Sequence, residues 1–414
     1  KIRHELVFIL FVLLLSIIYS FYSGFNDDFN YHFETIKNFK NKNLFEILHH
    51  RRTSYNSHWL FLNSIYSLSF FTSTLFILSS LFFSITIYDF INLLRKTIEQ
   101  RKYYLSIISF FCLIFFLGVL NQLKDLGTDI PGVIVCIYII ILIINKIFEK
   151  SKDSINNIFL ITLLFCQFAF VIKISNILVF IFLILLLLKI RYRDLNYLFF
   201  LIICLIPISW MLQNYIISGC LVWPITITCF FNTDLALNEI NIIESFAKGD
   251  KTASMEVNNL NWIMIWLKNH STKMLETYFI YFILLLLPFP YIYFNKKIKK
   301  TFSIHYLKKL YLDNNFKFLI LSILIFNFIW FFFAPAYRFG IFYNLFLIIF
   351  LLLPLWLFMI KNSFQLIANY SRLIIVIIFI YFIFENIIRL DWYMKRYDVW
   401  PPITQGKLLD RKNI

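Results

Sequence analysis

The sequence predicts an all-α integral membrane protein, because its composition and its hydrophobic pattern both exclude an ordinary soluble domain. Hydrophobic residues make up 60% and aromatic residues 21% of the 414 positions, whereas charged residues make up only 15%. A soluble domain of this length needs more surface charge to stay in solution. Apolar runs of roughly 17 to 25 residues recur along the chain, which is the length that a helix needs to cross about 30 Å of hydrocarbon.

About eleven such runs predict a single transmembrane domain over residues 1–414, with short interfacial helices in its outer loops. Basic clusters follow the second, fourth, sixth, eighth and tenth runs, and the positive-inside rule places these clusters and the N-terminus in the cytoplasm. The formal charge of +16 therefore reflects topology rather than nucleic-acid binding. We expect a multi-pass protein of the bacterial cytoplasmic (inner) membrane. Its outer segments are expected at residues 23–58, 121–132, 218–276 and 334–340 and in a tail at 389–414.

The first outer segment is dense in polar residues, although the chain around it is mostly apolar. Asp27 and Asp28 follow the first apolar run by about six residues. A carboxylate pair at a membrane interface can act as a general base on a hydroxyl, or it can hold a divalent cation. An aspartate here also suits the N-cap of the helix that follows. The two positions allow one aspartate for each role.

A short helix is predicted directly after these aspartates. Phe29, Phe33, Ile36 and Phe39 recur at helical spacing and form one apolar face. This pattern predicts a helix lying flat on the outer leaflet. His32 would lie on that helix near the carboxylates, either as a ligand or as a hydrogen-bonded interfacial histidine.

The same segment carries basic residues on the side of the membrane where the charge rule predicts few of them. These are Lys37, Lys40, Lys42, Arg51 and Arg52. Cations that oppose the predicted topology indicate an anionic partner. We therefore expect Arg51 and Arg52 to help to bind a phosphate.

The second outer segment adds Lys124, Asp125 and Asp129 to the candidate site. The two aspartates are four residues apart, and Pro131 follows at a position that suits the start of a helix. Asp129 therefore either caps this helix or joins the aspartates of the first segment on the same face. Lys124 is a further candidate for binding a phosphate.

Arg338 lies between Pro335 and Gly340 at the outer end of the ninth apolar run. Proline fixes one backbone angle and glycine frees others, so this spacing indicates a shaped turn. The planar guanidinium group is suited to phosphate oxygens. The alternative is an arginine that only reaches lipid headgroups from the end of a helix.

Several tryptophans lie in the outer segments. They are expected either in the interfacial aromatic belt or as stacking surfaces for sugars. They are Trp223, Trp262, Trp266 and Trp400. Of these, Trp223 is included among the candidate substrate-binding residues.

The six cysteines show no spacing typical of a metal site. Cys220 and Cys229 share the long outer segment, where an oxidising compartment would permit a structural disulfide. The other four lie within apolar runs and are expected to pack as small apolar residues.

Three places in the chain, taken together, resemble a known superfamily. The first contains Asn26-Asp27-Asp28, Tyr31-His32, Tyr55-Asn56-Ser57 and Trp59, the second contains Gly219, Trp223-Pro224, Asn261-Trp262 and Trp266, and the third contains Ala334-Pro335 and Arg338-Phe339-Gly340. The chain resembles bacterial polytopic proteins related to the GT-C glycosyltransferases. The resemblance implies a polyprenyl-phosphate-linked sugar as donor, a product formed on the outer face, and a catalytic acidic residue in the first outer loop. Asp27 or Asp28 takes that position.

We therefore expect an inverting glycosyltransferase that moves a sugar from a polyprenyl-phosphate donor to a glycan or lipid acceptor. Arg338, helped by Lys124 or the Arg51–Arg52 pair, would stabilise the phosphate, which makes a divalent cation (Mg or Mn) optional. The first alternative is an O-antigen- or capsule-type polysaccharide polymerase or ligase, which would depend on arginines more than on an acid. The second is a lipid-linked-glycan transporter, which predicts ionisable residues inside the spans. The sequence has few of these.

Overall fold

The structure is a computed structural model in which most of the chain can be described. The described residues are 32–41, 57–66, 77–119, 126–148, 154–190, 192–223, 225–230, 262–286, 293–294, 311–333 and 335–361, with single positions at 290, 380, 384, 387, 388 and 391. Regular structure within these ranges is helical, apart from one isolated bridge between Cys220 and Cys229. The described part of the protein is therefore all-α.

The helices include long apolar elements and short ones. They are α1 Phe33–Asn41, α2 His58–Tyr66, α3 Ile77–Glu99, α4 Tyr103–Gly118, α5 Asp129–Ile147, α6 Ile155–Ile172, α7 Ile184–Leu187, α8 Tyr197–Ser218, α9 Trp262–Leu286, α10 Asn314–Phe333 and α11 Ile341–Lys361. A 3-10 stretch, Ile174–Leu183, runs directly into α7. Shorter 3-10 turns lie at Tyr192–Asp194, Thr226–Thr228 and Tyr337–Phe339.

Within the described ranges, six helices are long and apolar enough to cross a membrane. They are α3, α5, α6, α8 over Tyr197–Ile216, α10 and α11. Two further apolar helices, Tyr103–Gly118 and Ile174–Leu187, are shorter. The described part of the protein is thus that of a helical membrane protein, as the sequence predicts. The first and eleventh apolar runs of the sequence lie in or extend into positions outside the described residues.

Helix α8 shows how local sequence sets the boundaries of a span. Asn196 caps its start, because the side-chain oxygen accepts a hydrogen bond of 3.0 Å from the backbone N–H of Phe199. Gly219 ends it in the left-handed conformation, with φ of 74°. Pro207 lies inside the helix without ending it. The end of α8 leads directly into the turn that contains Cys220.

The chain divides into two compact units. Unit 1 comprises Lys1–Asn92, Cys112–Pro131 and Ser371–Ile414, and unit 2 comprises Leu93–Phe111 and Gly132–Tyr370. Each unit has its own apolar core. Close packing of side chains is what holds helices together in lipid, where burial from water contributes little.

In unit 1, helix α1 packs against protein. Ile36 is 2% exposed and forms a cluster with Leu60 of α2 and with Leu126. Phe39 packs against the same cluster, and its ring meets Phe61 edge-on at 5.7 Å. The prediction that this apolar face lies on the outer leaflet is therefore wrong for Ile36 and Phe39. The helical spacing is present, but residues of α2 and Leu126 pack against Ile36 and Phe39.

Aromatic contacts join α2 and α4 to α3 within unit 1. Trp59 of α2 packs on Phe82 of α3 with ring centroids 5.3 Å apart. Further along α3, Phe83 and Phe90 both meet Phe116 of α4 edge-on. Edge-on pairs of this kind fix the rotation of one helix against another.

The core of unit 2 is centred on α5, whose apolar residues are buried along almost its whole length. Phe111 packs on Trp356 of α11 at 5.2 Å, and Phe182 packs on Phe326 of α10 at 5.2 Å. A second cluster joins α6 to α8 through Phe170, whose ring lies 4.8 Å from that of Trp210. These contacts place the end of α6 beside the end of α8.

Candidate functional site

A disulfide closes the turn that follows α8 in unit 2. Cys220 and Cys229 are bonded, as the sequence permits for an oxidising compartment. The backbone N–H groups of Leu221 and Phe230 donate to the carbonyl oxygens of Thr228 and Gly219, each at 3.0 Å. The turn is therefore a small, cross-linked unit of fixed shape.

This disulfide turn packs against the end of α6. Val222 belongs to the cluster that contains Phe170 and Val171, which are the third- and second-last residues of α6. Lys173 directly follows α6 in an extended conformation, with φ of −156° and ψ of 125°. The connection between α6 and the 3-10 stretch therefore lies beside the disulfide turn.

Hydrogen bonds from side chains fix the connection that contains Lys173. Asn176 donates through Nδ2 to the carbonyl oxygen of Ala169 at 3.0 Å, and Tyr343 of α11 donates to that of Ser175. A Cβ added at Gly132 would lie 2.4 Å from Asn176 Nδ2. Glycine at the start of α5 thus leaves the space that the Asn176 amide occupies.

Two tryptophans hold the turn that contains Arg338. Trp266 of α9 donates through Nε1 to the carbonyl oxygen of Pro335, and Trp330 of α10 donates to that of Ala336 at 3.0 Å. Gly340 ends this turn against the Trp330 ring, where an added Cβ would lie 2.3 Å from Cε2. The shaped turn that the sequence predicts between Pro335 and Gly340 is present, and indole rings hold it.

Two cations meet at Phe339 in this braced turn. The Nζ atom of Lys173 lies 3.8 Å from the centroid of the Phe339 ring, and the guanidinium carbon of Arg338 lies 5.5 Å from the same centroid. Both distances fall within the range of cation–π attraction. Arg338 is exposed and Lys173 is half-buried. We call Lys173, Arg338 and Phe339 the basic cluster.

The turn between Pro335 and Gly340 predicts a role for Arg338, whereas Lys173 is not among the residues that the sequence predicts for the site. A signal was present, because no other charged residue occurs between Ile155 and Leu187. A charge that interrupts so long an apolar segment needs a partner or a function.

The tryptophans of the long outer segment are buried rather than placed in an exposed belt. Trp223, Trp262 and Trp266 are each 4% to 5% exposed. Trp262 packs on Phe331 at 5.3 Å, and Trp266 braces the Arg338 turn. The expectation of an exposed aromatic belt is therefore wrong for these three, and aromatic neighbours inside unit 2 pack on the rings of Trp262 and Trp266. Trp400 lies outside the described residues.

Trp223 is the candidate sugar-binding tryptophan in unit 2. It follows Val222 in the disulfide turn and is buried, and its Nε1 has no hydrogen-bond partner among the described residues. Asn214 of α8 is also fully buried, and its Nδ2 donates to the carbonyl oxygen of Leu221 at 3.3 Å. The ring of Trp223 therefore offers no open face for stacking in this structure.

His32 and Asp129 are the candidate residues of unit 1 that the structure describes. His32 directly precedes α1 and is buried, with 4% of its surface exposed. Asp129 is the first residue of α5 and lies in its first turn, where a carboxylate is favoured by the helix dipole. Leu126, three residues earlier, packs on Ile36 of α1. The first and second predicted outer segments therefore meet within unit 1.

The remaining candidate residues lie outside the described residues. They are Asp27, Asp28, Arg51, Arg52, Lys124 and Asp125. Their assignment to catalysis and phosphate binding stays a prediction. Among the described residues no group of three His, Cys, Asp or Glu side chains could hold a metal ion. The aspartate pair for which a divalent cation is suggested lies outside the described residues.

These features define an all-helical integral membrane protein with a cross-linked turn and a basic cluster in one unit. The chain belongs to a family described as Domain of unknown function (DUF8201), whose match covers residues 1–345. No curated protein and no solved structure matches the chain.

Proposed function

We propose that this protein is a membrane glycosyltransferase of GT-C-like architecture with about eleven spans. It transfers a sugar from a polyprenyl-phosphate donor to a glycan or lipid acceptor at the outer face of the bacterial cytoplasmic membrane, and its N-terminus is cytoplasmic. The single observation that carries this proposal is the basic cluster, in which Lys173 and Arg338 meet at the ring of Phe339.

The basic cluster suits the phosphate of a lipid carrier. An arginine fork and a lysine ammonium together complement a phosphate that gains charge as its bond to the sugar breaks. Trp266 and Trp330 fix the backbone of the turn that bears Arg338. Such fixing supports catalysis, because groups that are already oriented need not reorganise during the reaction.

The disulfide turn supports the assignment of this end of unit 2 to the outer face. Disulfides persist in oxidising compartments and are rare in the cytosol. The turn packs on the end of α6, next to Lys173. The predicted topology also places residues 218–276, which contain the disulfide turn, outside.

The proposed chemistry needs one base and one stabilised leaving group. Asp27 or Asp28 takes the proton from the acceptor hydroxyl, a step worth on the order of a hundred- to ten-thousand-fold in rate. The acceptor oxygen then bonds to the anomeric carbon, while the bond from that carbon to the phosphate oxygen breaks. The polyprenyl phosphate leaves with the bonding electrons, and Lys173 and Arg338 stabilise its charge. Attack opposite the leaving group inverts the anomeric configuration.

A polysaccharide polymerase or ligase is the second candidate, because the same pair of cations suits the diphosphate of a lipid-linked chain. This alternative would depend on cations more than on an acid of the first outer loop. Arginine and lysine would stabilise the lipid diphosphate as it leaves. The two candidates therefore differ in what Asp27 and Asp28 do.

The test measures transfer and carrier binding separately in membranes that contain the full chain. The donors are polyprenyl phosphates that carry a hexose or an N-acetylhexosamine, and bacterial glycolipids serve as acceptors. We expect Asp27→Asn or Asp28→Asn to lower transfer by about a hundredfold or more while carrier binding persists. Full transfer by both variants contradicts the carboxylate mechanism and favours the polymerase or ligase.

The phosphate role has its own matched control. Arg338→Gln and Lys173→Gln should weaken binding of polyprenyl phosphate, since each removes a charge-assisted contact. Arg193→Gln removes another exposed arginine of unit 2 and should leave that binding unchanged. Equal effects of Arg193→Gln and Arg338→Gln would mean that the basic cluster acts only through net charge, and the proposal would then lose its main support.

A further inference from the structure

The disulfide turn between Cys220 and Cys229 carries apolar side chains on its outside. Ile227 is 92% exposed, Phe230 just after the cross-link is 65% exposed, and Ile225 is also exposed. Large apolar side chains in contact with water are unfavourable, and several of them on one small turn mark a surface that meets a partner or a membrane. The phosphate role proposed for the basic cluster does not use this surface.

The sequence around the disulfide turn contains no charge. No Asp, Glu, Lys or Arg residue occurs between Asp194 and Asp234, a stretch that includes all of α8 and the turn. Charged side chains are costly inside a bilayer, whereas they are readily accommodated in water. Their absence therefore favours lipid around the turn as well as around α8.

Polar backbone groups of the turn are bonded within the turn itself. The Thr228 hydroxyl accepts from the backbone N–H of Val222 at 3.1 Å and donates to the carbonyl oxygen of Ile225 at 2.7 Å. The backbone N–H groups of Ile225 and Thr228 donate to the carbonyl oxygens of Val222 and Ile225 at 2.8 and 3.0 Å. Lipid offers no hydrogen bonds, so a segment that enters it must satisfy such groups internally. The turn meets this requirement for these groups.

The apolar surface of the turn continues the exposed side of α8. The ring of Phe230 meets that of Tyr215, in the last turn of α8, edge-on at 5.7 Å. Leu212 and Ile216, which flank Tyr215 on α8, are both exposed. Since α8 is long and apolar enough to cross a membrane, its exposed apolar side chains meet hydrocarbon. The turn thus extends a surface that lipid covers.

We propose that the disulfide turn is an interfacial anchor, in which Ile225, Ile227 and Phe230 insert into the leaflet at the C-terminal end of α8. The partner is the bilayer itself, at the boundary between headgroups and acyl chains. The cross-link and the hydrogen bonds around Thr228 fix the shape of the turn. Insertion therefore costs little conformational entropy, because the turn is already ordered.

The anchor lies next to the basic cluster. Val222 of the turn belongs to one apolar cluster with Phe170 and Val171, and Ile174 packs against the same cluster. The turn therefore supports the chain on both sides of Lys173. An anchored turn holds Lys173 near the depth of the lipid headgroups, where the phosphate of a lipid carrier lies. This consequence rests on the proposed function, whereas insertion of the turn does not.

Photo-cross-linking from position 227 identifies what covers the turn. The full chain carries p-benzoylphenylalanine in place of Ile227, in nanodiscs of phosphatidylethanolamine and phosphatidylglycerol. Light inserts the benzophenone into a neighbouring C–H bond, and mass spectrometry identifies the adduct. We expect acyl-chain adducts in a yield close to that obtained when Leu205, an exposed residue of α8, is replaced instead. Replacing Gln100, in the exposed charged turn after α3, is the control and should give severalfold fewer acyl-chain adducts.

The identity of the adduct separates the possible occupants of the surface. Adducts with the same chain or with a second copy would mean that protein covers the turn. A yield as low as that from position 100 would mean that water covers it. In nanodiscs that also contain polyprenyl phosphate, adducts with the prenyl chain alone would assign the surface to the tail of the carrier. Each of these three results overturns the anchor.

A charge at the tip of the turn gives a second measurement. Ile227→Asp should lower the melting temperature of the full chain in nanodiscs, because a carboxylate is costly among acyl chains. Ile227→Leu keeps an apolar side chain and is the matched control, which should leave the melting temperature unchanged. A side chain that stood in water would tolerate both changes, so an unchanged melting temperature for Ile227→Asp also overturns the proposal.

Both measurements are independent of sugar transfer and of phosphate binding. Failure of the cross-linking prediction removes the anchor and leaves the proposed function in place. Full transfer by the Asp27 and Asp28 variants removes the carboxylate mechanism and leaves the anchor in place.

Discussion

The ammonium group of Lys173 lies over the ring of Phe339, with 3.8 Å between Nζ and the ring centroid. This contact joins the connection after α6 to the turn after α10, and it places a second cation beside Arg338 in unit 2. Nothing in the local sequence around either residue indicates the contact.

Replacing Phe339 tests whether the ring organises the basic cluster. Phe339→Leu keeps an apolar side chain but removes the π face that attracts both cations. Cation–π contacts are worth about 0.5–2 kcal/mol, so polyprenyl phosphate should bind roughly threefold to thirtyfold more weakly. Titration of the purified chain with the lipid measures this. Phe328→Leu, at an exposed phenylalanine of α10, is the control and should not change the affinity.

Gly340 tests the fit of the braced turn. In Gly340→Ala the new Cβ would meet the Trp330 ring at 2.3 Å, far inside van der Waals contact. We expect a loss of about 1–3 kcal/mol in the free energy of unfolding. Thermal unfolding in detergent measures the loss. Combining Gly340→Ala with Trp330→Phe should recover part of it, and strict additivity of the two losses would argue against a direct clash.

The same substitution at two tryptophans of unit 2 should destabilise the protein to different extents. Trp266→Phe removes the donor to the Pro335 carbonyl oxygen and leaves a buried acceptor unsatisfied, so stability should fall by about 1–3 kcal/mol. Trp223→Phe removes a buried Nε1 that has no partner in the described structure. It should destabilise the protein less. The reverse order in denaturation experiments would contradict the assigned hydrogen bonding.

The disulfide offers a test of both stability and sidedness. Cys220→Ser opens a short loop, and the loss should be about 2–3 kcal/mol in the free energy of unfolding. Cys204→Ser changes a half-buried free cysteine and serves as the control. In Cys220→Ser cells the released Cys229 thiol should react with a membrane-impermeant maleimide. Labelling that requires permeabilised cells would place this turn in the cytoplasm and contradict the proposed topology.

The class of fold was predictable because it depends on composition and on run length. Their length alone predicts the apolar helices that are long enough to cross a membrane. These helices are α3, α5, α6, α8, α10 and α11. The turn at Arg338 was also predictable, since proline and glycine restrict the backbone locally. The shared segment of Cys220 and Cys229 permitted a disulfide without requiring it, and the structure contains the bond.

Burial of the polar and aromatic side chains was not predictable in the same way. Tryptophan is a residue type expected in an interfacial belt. Trp223, Trp262 and Trp266 are nevertheless buried. The apolar face of α1 suited a lipid surface equally well. A periodic pattern predicts that one face is apolar, but it does not predict whether lipid or protein covers that face.

The sequence by itself determined that this is a helical membrane protein, where several of its helices run, and that Arg338 lies in a shaped turn. Only the tertiary structure decided that Lys173 joins Arg338 at Phe339, and that Trp59 of α2 packs on Phe82 of α3 in unit 1. The physical reason is the range of the forces involved. Hydrophobic length and backbone restriction act over a few neighbouring residues, whereas a cation–π contact or an aromatic pair depends on which distant helix packs beside it.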